Sequence, residues 1–470
     1  MDRLDRFFEI SARGSSIGAE ARGGLVTFIA MAYIVVLNPI VLSGTADVAG
    51  NSLQFAQVSA VTALVAGVMT ILFGVVARLP FAFAAGLGIN SFLATAVVGS
   101  VTWPEAMGLV VINGLIIVAL AVSGLRRLIF DAVPMPLKMA ITAGIGLFIL
   151  FIGLVDAGFI ASTGLPAPPV GLGAGGLGSI STVPTLVFVF TLLFTGVLVA
   201  RKVRGGILVG LVAGTIVAIV VEAVWHLGSA VDNPGGWSLS VPKLSGSPFA
   251  LPDLSLVGDF SFGGFSRIGV LAATVLVFTL VFANFFDALG TLTGLSREAG
   301  LSNERGTFPR LRSALTVEGI GAVAGGAASA SSNTVFIESG AGIEEGARTG
   351  LANLVTGVLF LAAMFVAPLA SVVPSEVAAA ALVIVGTMMA SHLRHIDLSE
   401  FSVALPVVLT VTVMPLSYSI ANGIGVGFIS WVVMRSAAGK AREISPLLWI
   451  VAAGFLVYFA RSGVESLVGV

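Results

Sequence analysis

Apolar residues fall along this chain in long blocks. From about residue 23 to residue 460 it is a succession of apolar runs of roughly 17 to 25 residues, separated by short stretches where Arg, Asp, Gly and Pro gather. A helical run of about 20 apolar residues spans about 30 Å of hydrocarbon. Lipid-exposed backbone must satisfy its own hydrogen bonds, so the pattern predicts an all-α polytopic membrane protein. Candidate spans lie near 23–42, 57–77, 87–98, 105–123, 136–155, 183–200, 205–225, 267–291, 313–329, 338–348, 350–371, 376–391, 401–418 and 420–436. They number about fourteen, and a further apolar piece at 446–460 leaves the count at the C-terminus open.

Loop charges orient these spans. With the N-terminus in the cytoplasm, Arg3, Arg6, Arg13, Arg22, Arg78, Arg126, Arg127, Arg201, Lys202 and Arg204 all fall on the cytoplasmic side. So do Arg297, Arg305, Arg310, Arg312, Arg348, Arg394, Arg435, Lys440 and Arg442, while the opposite loops carry Asp47, Asp156, Asp232, Asp253 and Asp259 with little besides Lys243 and Arg267. This positive-inside bias predicts a multi-pass inner-membrane protein. The segment 1–22 is charged and amphipathic and reads as a cytoplasmic lead-in, with no cleavable signal peptide. The stretch 226–265, rich in Gly, Pro and Ser, reads as an external linker between residues 23–225 and 266–436, and 437–470 is a C-terminal segment.

Composition narrows the function classes. The chain is 57% hydrophobic and 10% charged, and its mean hydropathy of +1.07 is far from that of a soluble domain. It has no Cys, so disulfide and thiol chemistry are excluded, and its histidines, His226, His392 and His395, fall at expected helix ends or loops. With no metal-ligand cluster and no catalytic motif, neither a metal, a cofactor nor an enzymatic reaction is expected. A net charge of −1 and the lack of a long basic run argue against nucleic acid.

The halves of the chain repeat one feature. Ala84-Ala85-Gly86-Leu87-Gly88-Ile89-Asn90 in the third span matches Glu338-Ser339-Gly340-Ala341-Gly342-Ile343-Glu344 in the tenth. Each opens a short helix after an extended stretch, expected at Phe81 to Phe83 and Thr334 to Ile337. A separation of seven spans is odd, so the two copies run in opposite senses and imply two inverted seven-span repeats. Paired Gly-interrupted helices of this kind mark a transporter's binding site near the midplane, where the half-helix N-termini aim N–H groups at a polar, planar ligand. The plain alternative is that Gly-x-Gly only lets helices pack closely.

Two intramembrane carboxylates join this feature. Asp287 lies deep in the eighth span and Glu338 at the start of the tenth. An ionised carboxylate at that depth costs several kcal/mol, so each must be paired, wetted or protonated, which makes both candidates for proton coupling. A carboxylate also accepts the N–H edge of a heterocycle. The alternatives are a helix–helix hydrogen bond for Asp287, to a residue such as Thr27, and dipole compensation for Glu338. Asn90 offers a donor and an acceptor, or merely packs, and Phe83 and Phe336 are placed to stack on a flat ring or to fill core. Glu344 and Glu345, beside Arg348, read as a salt-bridge face, and Glu222 and Glu318 are given no role.

At these residues the sequence resembles the AzgA-like branch of the nucleobase:cation symporter family, the adenine/guanine/hypoxanthine permeases. The resemblance runs nearly end to end. It is carried by GGLVTFIAMAYIVVLNPIVL, PFAFAAGLGINSFLA, MAITAGIGLFILFIGLVDAG, FFDALGTLTGLSREAGL, FIESGAGIEEGARTGL and PLSYSIANGIGVGFIS. It implies the uracil/xanthine permease fold, with a core domain (23–123 and 266–371) that moves against a gate domain (136–225 and 376–436). It further implies a purine nucleobase held between the third and tenth spans by Asp287 and Glu338, and a homodimer formed through the gate. Two departures stand out. Ala85 replaces a proline of the family pattern, and Val335 and Phe336 replace a threonine and a tyrosine.

The expectation is thus an importer of hypoxanthine, guanine or adenine by proton symport, working by an elevator-like alternating-access movement in lipid. Asp287, Glu338, Asn90, Gly86, Gly88, Gly340, Phe336 and Phe83 are its site residues, and Asp287 and Glu338 its proton-coupling pair. The rival is an inorganic or organic anion transporter of the same inverted-repeat architecture.

Overall fold

The chain meets its hydrophobic pattern almost wholly with helix. The computed structural model describes residues 2–123, 132–164, 168–173, 180, 182–238, 240–243, 247–302 and 308–468; Arg126, Arg127 and Arg305 of the orienting charges lie outside the described residues. The first part contains α1 (Asp2–Phe8), α2 (Ile17–Met31), α3 (Ile34–Ser43), α4 (Phe55–Val76), β1 (Phe83–Ala85), α5 (Leu87–Phe92), α6 (Trp103–Ser123) and α7 (Met135–Asp156). A short hairpin, β2 (Ile160–Ser162) and β3 (Val170–Leu172), precedes α8 (Val183–Ala200) and α9 (Gly206–Trp225). After the linker come α10 (Gly264–Ile268), α11 (Val270–Glu298), α12 (Leu311–Ala327), β4 (Asn333–Val335) and α13 (Ser339–Glu344). The remaining helices are α14 (Leu351–Ala363), α15 (Ala367–Ala370), α16 (Ser375–Ala390), α17 (Phe401–Leu416), α18 (Ile420–Ala437) and α19 (Pro446–Val468).

The expected segments are largely helical, although 338–348 is helix only over Ser339–Glu344. Among the described residues nine helical stretches are long and apolar enough to cross a membrane, and four shorter apolar helices accompany them: Leu87–Val97, Val270–Phe285, Phe401–Leu416 and Pro446–Ala460. The first stretch starts at Ile17, six residues ahead of the expected 23, because the Ser16 side chain caps α2 by accepting from the Ala19 amide at 3.2 Å. Glu20, which hydropathy alone would keep in water, is fully buried in that first turn. Its carboxylate accepts the amides of Arg348 (2.8 Å), Thr349 and Ala352 (3.3 Å each), and so satisfies the open donors at the start of α14.

Contacts sort the helices into two groups. In one, α12 packs along α6, and α14 packs on α4 and α2; in the other, α7, α8, α9 and α16 pack together, and α17 packs on α7 and α18. α11 touches both, through α6 and α13 on one side and α7 and α18 on the other. Glycine brings the backbones together at close crossings. A Cβ on Gly67 would stand 2.8 Å from the Gly357 carbonyl oxygen, and one on Gly357 2.7 Å from the Gly67 carbonyl oxygen, so α4 and α14 meet backbone to backbone. Gly146 and Gly386 do the same for α7 and α16.

Within the first group, β1 and β4 pair antiparallel in the register Phe83↔Val335, Ala84↔Thr334, Ala85↔Asn333. The strands lie two residues later and one residue earlier than the expected extended stretches, because pairing with each other sets their limits. Non-helical backbone at this depth needs every group satisfied. The Gly86 amide donates to the Ser332 carbonyl at 2.8 Å and the Phe336 amide to the Ala82 carbonyl at 3.0 Å. Side chains supply the rest: Thr70 Oγ1 accepts the Phe83 amide at 2.9 Å, Ser339 Oγ accepts the Ala82 amide at 3.0 Å, and Asn353 Nδ2 donates to the Phe81 carbonyl at 2.7 Å.

Candidate functional site

The two-stranded crossing aims α5 and α13 away from one point, and a cavity of about 190 Å3 lies beside it. Its walls come from both helix groups. Gly86, Leu87, Gly88 and Ile89 of the β1–α5 junction face Thr334 to Glu338 of the β4–α13 junction; α11 adds Asp287 and Thr291, and α7 and α16 close the far side with Ile145 and Val385. Gly294, Met388, Met389 and His392 also line it, near the helix ends that carry Arg297 and Arg394. The cavity therefore runs from the strand crossing toward the basic face.

Two carboxylates face this space, and both are half-buried rather than sealed in. Glu338 precedes α13 and receives a hydrogen bond of 2.5 Å from the Tyr33 hydroxyl. Tyr33 is fully buried in the two-residue break between α2 and α3, which turns the phenol into the cavity wall instead of continuing one straight helix. Thr334 is braced from behind, its hydroxyl donating to the buried carboxylate of Glu318 at 2.9 Å. Glu318, given no role from sequence, thus supports the cavity wall.

Donors come from the opposite wall. The amides of Leu87, Gly88 and Ile89 stand in the first turn of α5, where no helical acceptor exists, and have no acceptor among the described residues. The matching expectation for α13 fails. The amides of Ser339, Gly340 and Ala341 donate to the carbonyls of Phe336 (3.1 Å), Ile337 (2.9 Å) and Glu338 (3.0 Å), because tight turns consume them before a ligand could. The arrangement is then asymmetric, with backbone donors on the α5 side and carboxylate acceptors on the α11 and α13 sides. Among the described lining residues there is no Lys or Arg.

Of the eight residues singled out from sequence, Asp287, Glu338, Gly86, Gly88 and Phe336 line this cavity. Phe83, Asn90 and Gly340 stand behind it. Phe83 is fully buried against Phe73, with ring centroids 4.9 Å apart, since strand alternation turns it away from the cavity. Asn90, on the inner side of α5, donates to Asn38 Oδ1, and Asn38 in turn donates to Thr62 Oγ1 at 2.7 Å and the Ala330 carbonyl at 3.2 Å. Gly340 lies under Glu298, whose carboxylate would be 3.1 Å from a Cβ there. Sequence reasoning missed Tyr33, Thr334 and His392. His392 stands at a helix end, as expected of the histidines, in the 3-10 turn that prolongs α16; its ring nitrogen Nδ1 lies 2.9 Å from the Met389 carbonyl oxygen. The only sequence signal for Tyr33 was a phenol inside a largely apolar span. Glu345 does form ion pairs, though with Arg22 at 2.8 Å and with Arg204 rather than with Arg348.

Comparison with known proteins places this geometry in a family. The model named Xan_ur_permease, described as a permease family, matches residues 18–458. The guanine/hypoxanthine permease PbuG of Bacillus subtilis is 38% identical over 97% of this chain and 99% of its own length. The adenine permease AdeP of Escherichia coli is 34% identical over 97% and 95%. Among solved structures, the transmembrane domain of the cyanobacterial bicarbonate transporter BicA is similar in fold, with a TM-score of 0.61 at 18% identity, covering 86% of this chain and 97% of that one. The murine anion transporter Slc26a9 in its inward-facing state gives 0.59 at 11% identity, over 89% and 68%. Matched along nearly its whole length, this chain belongs to the Xan_ur_permease family of permeases, as its resemblance to the adenine/guanine/hypoxanthine permeases implies.

Proposed function

We propose that the protein imports a purine nucleobase with protons across the inner membrane, its N-terminus in the cytoplasm. The observation that carries this is the facing pair of walls: amide donors at Leu87, Gly88 and Ile89 opposite carboxylate acceptors at Asp287 and Glu338. A purine presents ring N–H groups and ring nitrogen or carbonyl acceptors in one plane, and such a ligand meets both walls at once. Phe336 adds an aromatic surface beside Glu338. Protons enter as the coupling ion, and the half-buried carboxylates, wetted through the cavity, are the groups to carry them.

The movement is alternating access between a core (23–123 and 266–371) and a gate (136–225 and 376–436), the core travelling in the manner of an elevator. Fourteen spans in two inverted repeats underlie it, and the antiparallel pairing of β1 with β4 supports that symmetry. The cavity sits between the two helix groups, with α7 and α16 on one side and the strand crossing on the other. In this arrangement it reaches the basic, cytoplasmic face, which makes the state inward-facing. A homodimer forms through the gate.

The similarity in fold to bicarbonate and anion transporters raises anion transport as the rival. Two carboxylates and no Lys or Arg among the described lining residues oppose it, since an anion there would meet only like charge. Uptake of labelled hypoxanthine, guanine and adenine into proteoliposomes, with the outside acidified, tests the proposal. Purine accumulation that collapses with the gradient is expected, and is lost in Asp287→Asn and Glu338→Gln. Failure of every purine to accumulate, or competition by bicarbonate or sulfate but not by purines, refutes it.

A further inference from the structure

A second cavity, of about 260 Å3, lies across the same seam nearer the opposite face. One wall is Ile40, Val41, Gly44 and Thr45 at the end of α3 with Ser91 of α5 and Ala94 and Thr95 just beyond it; the other is Ile152 and Asp156 of α7, Ser238 of the external linker and Ser375 of α16. It stacks directly on the first cavity. Gly88 and Ile89 line the deeper space while Ser91 lines this one, and on α7 the lining passes from Ile145 to Ile152, seven residues or about 10 Å of helix. Between them stand Phe148 and Ile149, both fully buried, with Ile149 and Ile145 against Gly88. A single apolar layer separates the two spaces.

The lining of this second cavity is incomplete in its hydrogen bonds. Ser91 is fully buried, yet its hydroxyl has no partner among the described residues. Asp156, exposed to the cavity at the end of α7, accepts no hydrogen bond and forms no ion pair among them. Ser238 and Ser375 are held in place by Glu376, whose Oε1 accepts the Ser238 amide at 2.9 Å and the Ser238 hydroxyl at 2.7 Å, while Oε2 accepts from Ser375 at 3.4 Å. An unpaired carboxylate opposite an unpaired hydroxyl offers an acceptor for a ring N–H and a donor for a ring nitrogen or carbonyl. With Glu376 behind it and no Lys or Arg among its described lining residues, the cavity suits a neutral planar base and not an anion.

We infer that this outer cavity is an entry site for the transported nucleobase, occupied before the core carries the base past the Phe148–Ile149 layer, with Asp156 and Ser91 as its recognition pair. The inference rests on the purine-import reading above. Because the chain contains no cysteine, Thr45→Cys and Asp156→Cys each place a single thiol on one of the two walls. A membrane-impermeant methanethiosulfonate added from outside is expected to cut purine uptake by either variant at least tenfold, and saturating hypoxanthine to slow that labelling severalfold. Val48→Cys, on the exposed loop after α3, is labelled with uptake unchanged. Asp156→Asn raises KM about tenfold, the loss of one charge-assisted hydrogen bond, with the maximal rate retained.

Thiols that do not react from outside, labelling that leaves uptake intact, labelling indifferent to hypoxanthine, or an Asp156→Asn KM equal to that of wild type each overturn the entry site. If one cysteine variant does not reach the membrane, the other and Asp156→Asn decide the matter. Wild-type vesicles that take up no purine refute the transport reading itself, whereas wild-type uptake with insensitive variants refutes only the outer site.

Discussion

Removal of one oxygen, in Tyr33→Phe, isolates what positions Glu338. The phenol is fully buried, its ring stays packed after the change, and the hydroxyl donates to Glu338 Oε1 at 2.5 Å. Hydrogen bonds to a charged group contribute about 1.5–3 kcal/mol. Glu338 is half-buried beside a cavity that reaches water, so water replaces part of the lost bond and the low end of that range applies. At about 1.4 kcal/mol per decade, purine Kd and uptake KM rise roughly tenfold. Equilibrium binding of labelled purine to the purified variant measures the first, and initial rates in proteoliposomes the second, with melting in detergent as the control for folding. Wild-type Kd and KM in Tyr33→Phe, alongside complete loss of binding in Glu338→Gln, would show that the carboxylate is held by something other than Tyr33.

Three further outcomes follow from geometry on other elements. A Cβ at Gly88 would stand 2.5 Å from Ile145 Cγ2, so Gly88→Ala should abolish uptake while the protein still reaches the membrane; Gly88→Ala combined with Ile145→Ala should regain part of it, as read in uptake assays. Glu20→Ala leaves three backbone donors at the start of α14 without an acceptor, two of them buried, a loss of about 1–3 kcal/mol that should appear as a lower Tm in a detergent melt, with Glu20→Gln intermediate. Glu400, in the loop before α17, is held down to about 2 by hydrogen bonds from Lys440 (2.8 Å), Ser402 and Arg435 (2.7 Å). A carboxyl lowered in the folded state stabilises it above the unfolded value, and that contribution fades as pH falls from about 4.5 toward 2. Melts across that window should show a steeper loss in wild type than in Glu400→Gln, and equal slopes would remove the role assigned to this cluster.

Hydropathy and loop charge alone carry the class and the order of the helices. Those properties sum over some twenty residues at a time, so local detail does not disturb them. The two Gly-x-Gly segments and the carboxylates at Asp287 and Glu338 were legible too, because the paired short Gly-interrupted helices stand out from full-length spans and charge is costly at membrane depth unless something requires it. Which side chains face one another was not legible. Phe83, Asn90 and Gly340 share their short segments with true lining residues, and strand alternation or helix rotation turned them to the other side.

Tertiary structure decided what lay between distant segments. Tyr33 meets Glu338 across 305 positions, and Glu20 closes the start of a helix 332 positions later at Ala352. The pairing of β1 with β4 consumes backbone groups that sequence would leave open for a ligand, and the tight turns at Glu338 consume three more. By itself the sequence determined a polytopic helical protein with acids and interrupted helices in its interior, since those are matters of transfer from water to lipid. The donors and acceptors that remain free to receive a ligand depend on which backbone groups find partners, and only the folded chain settles that.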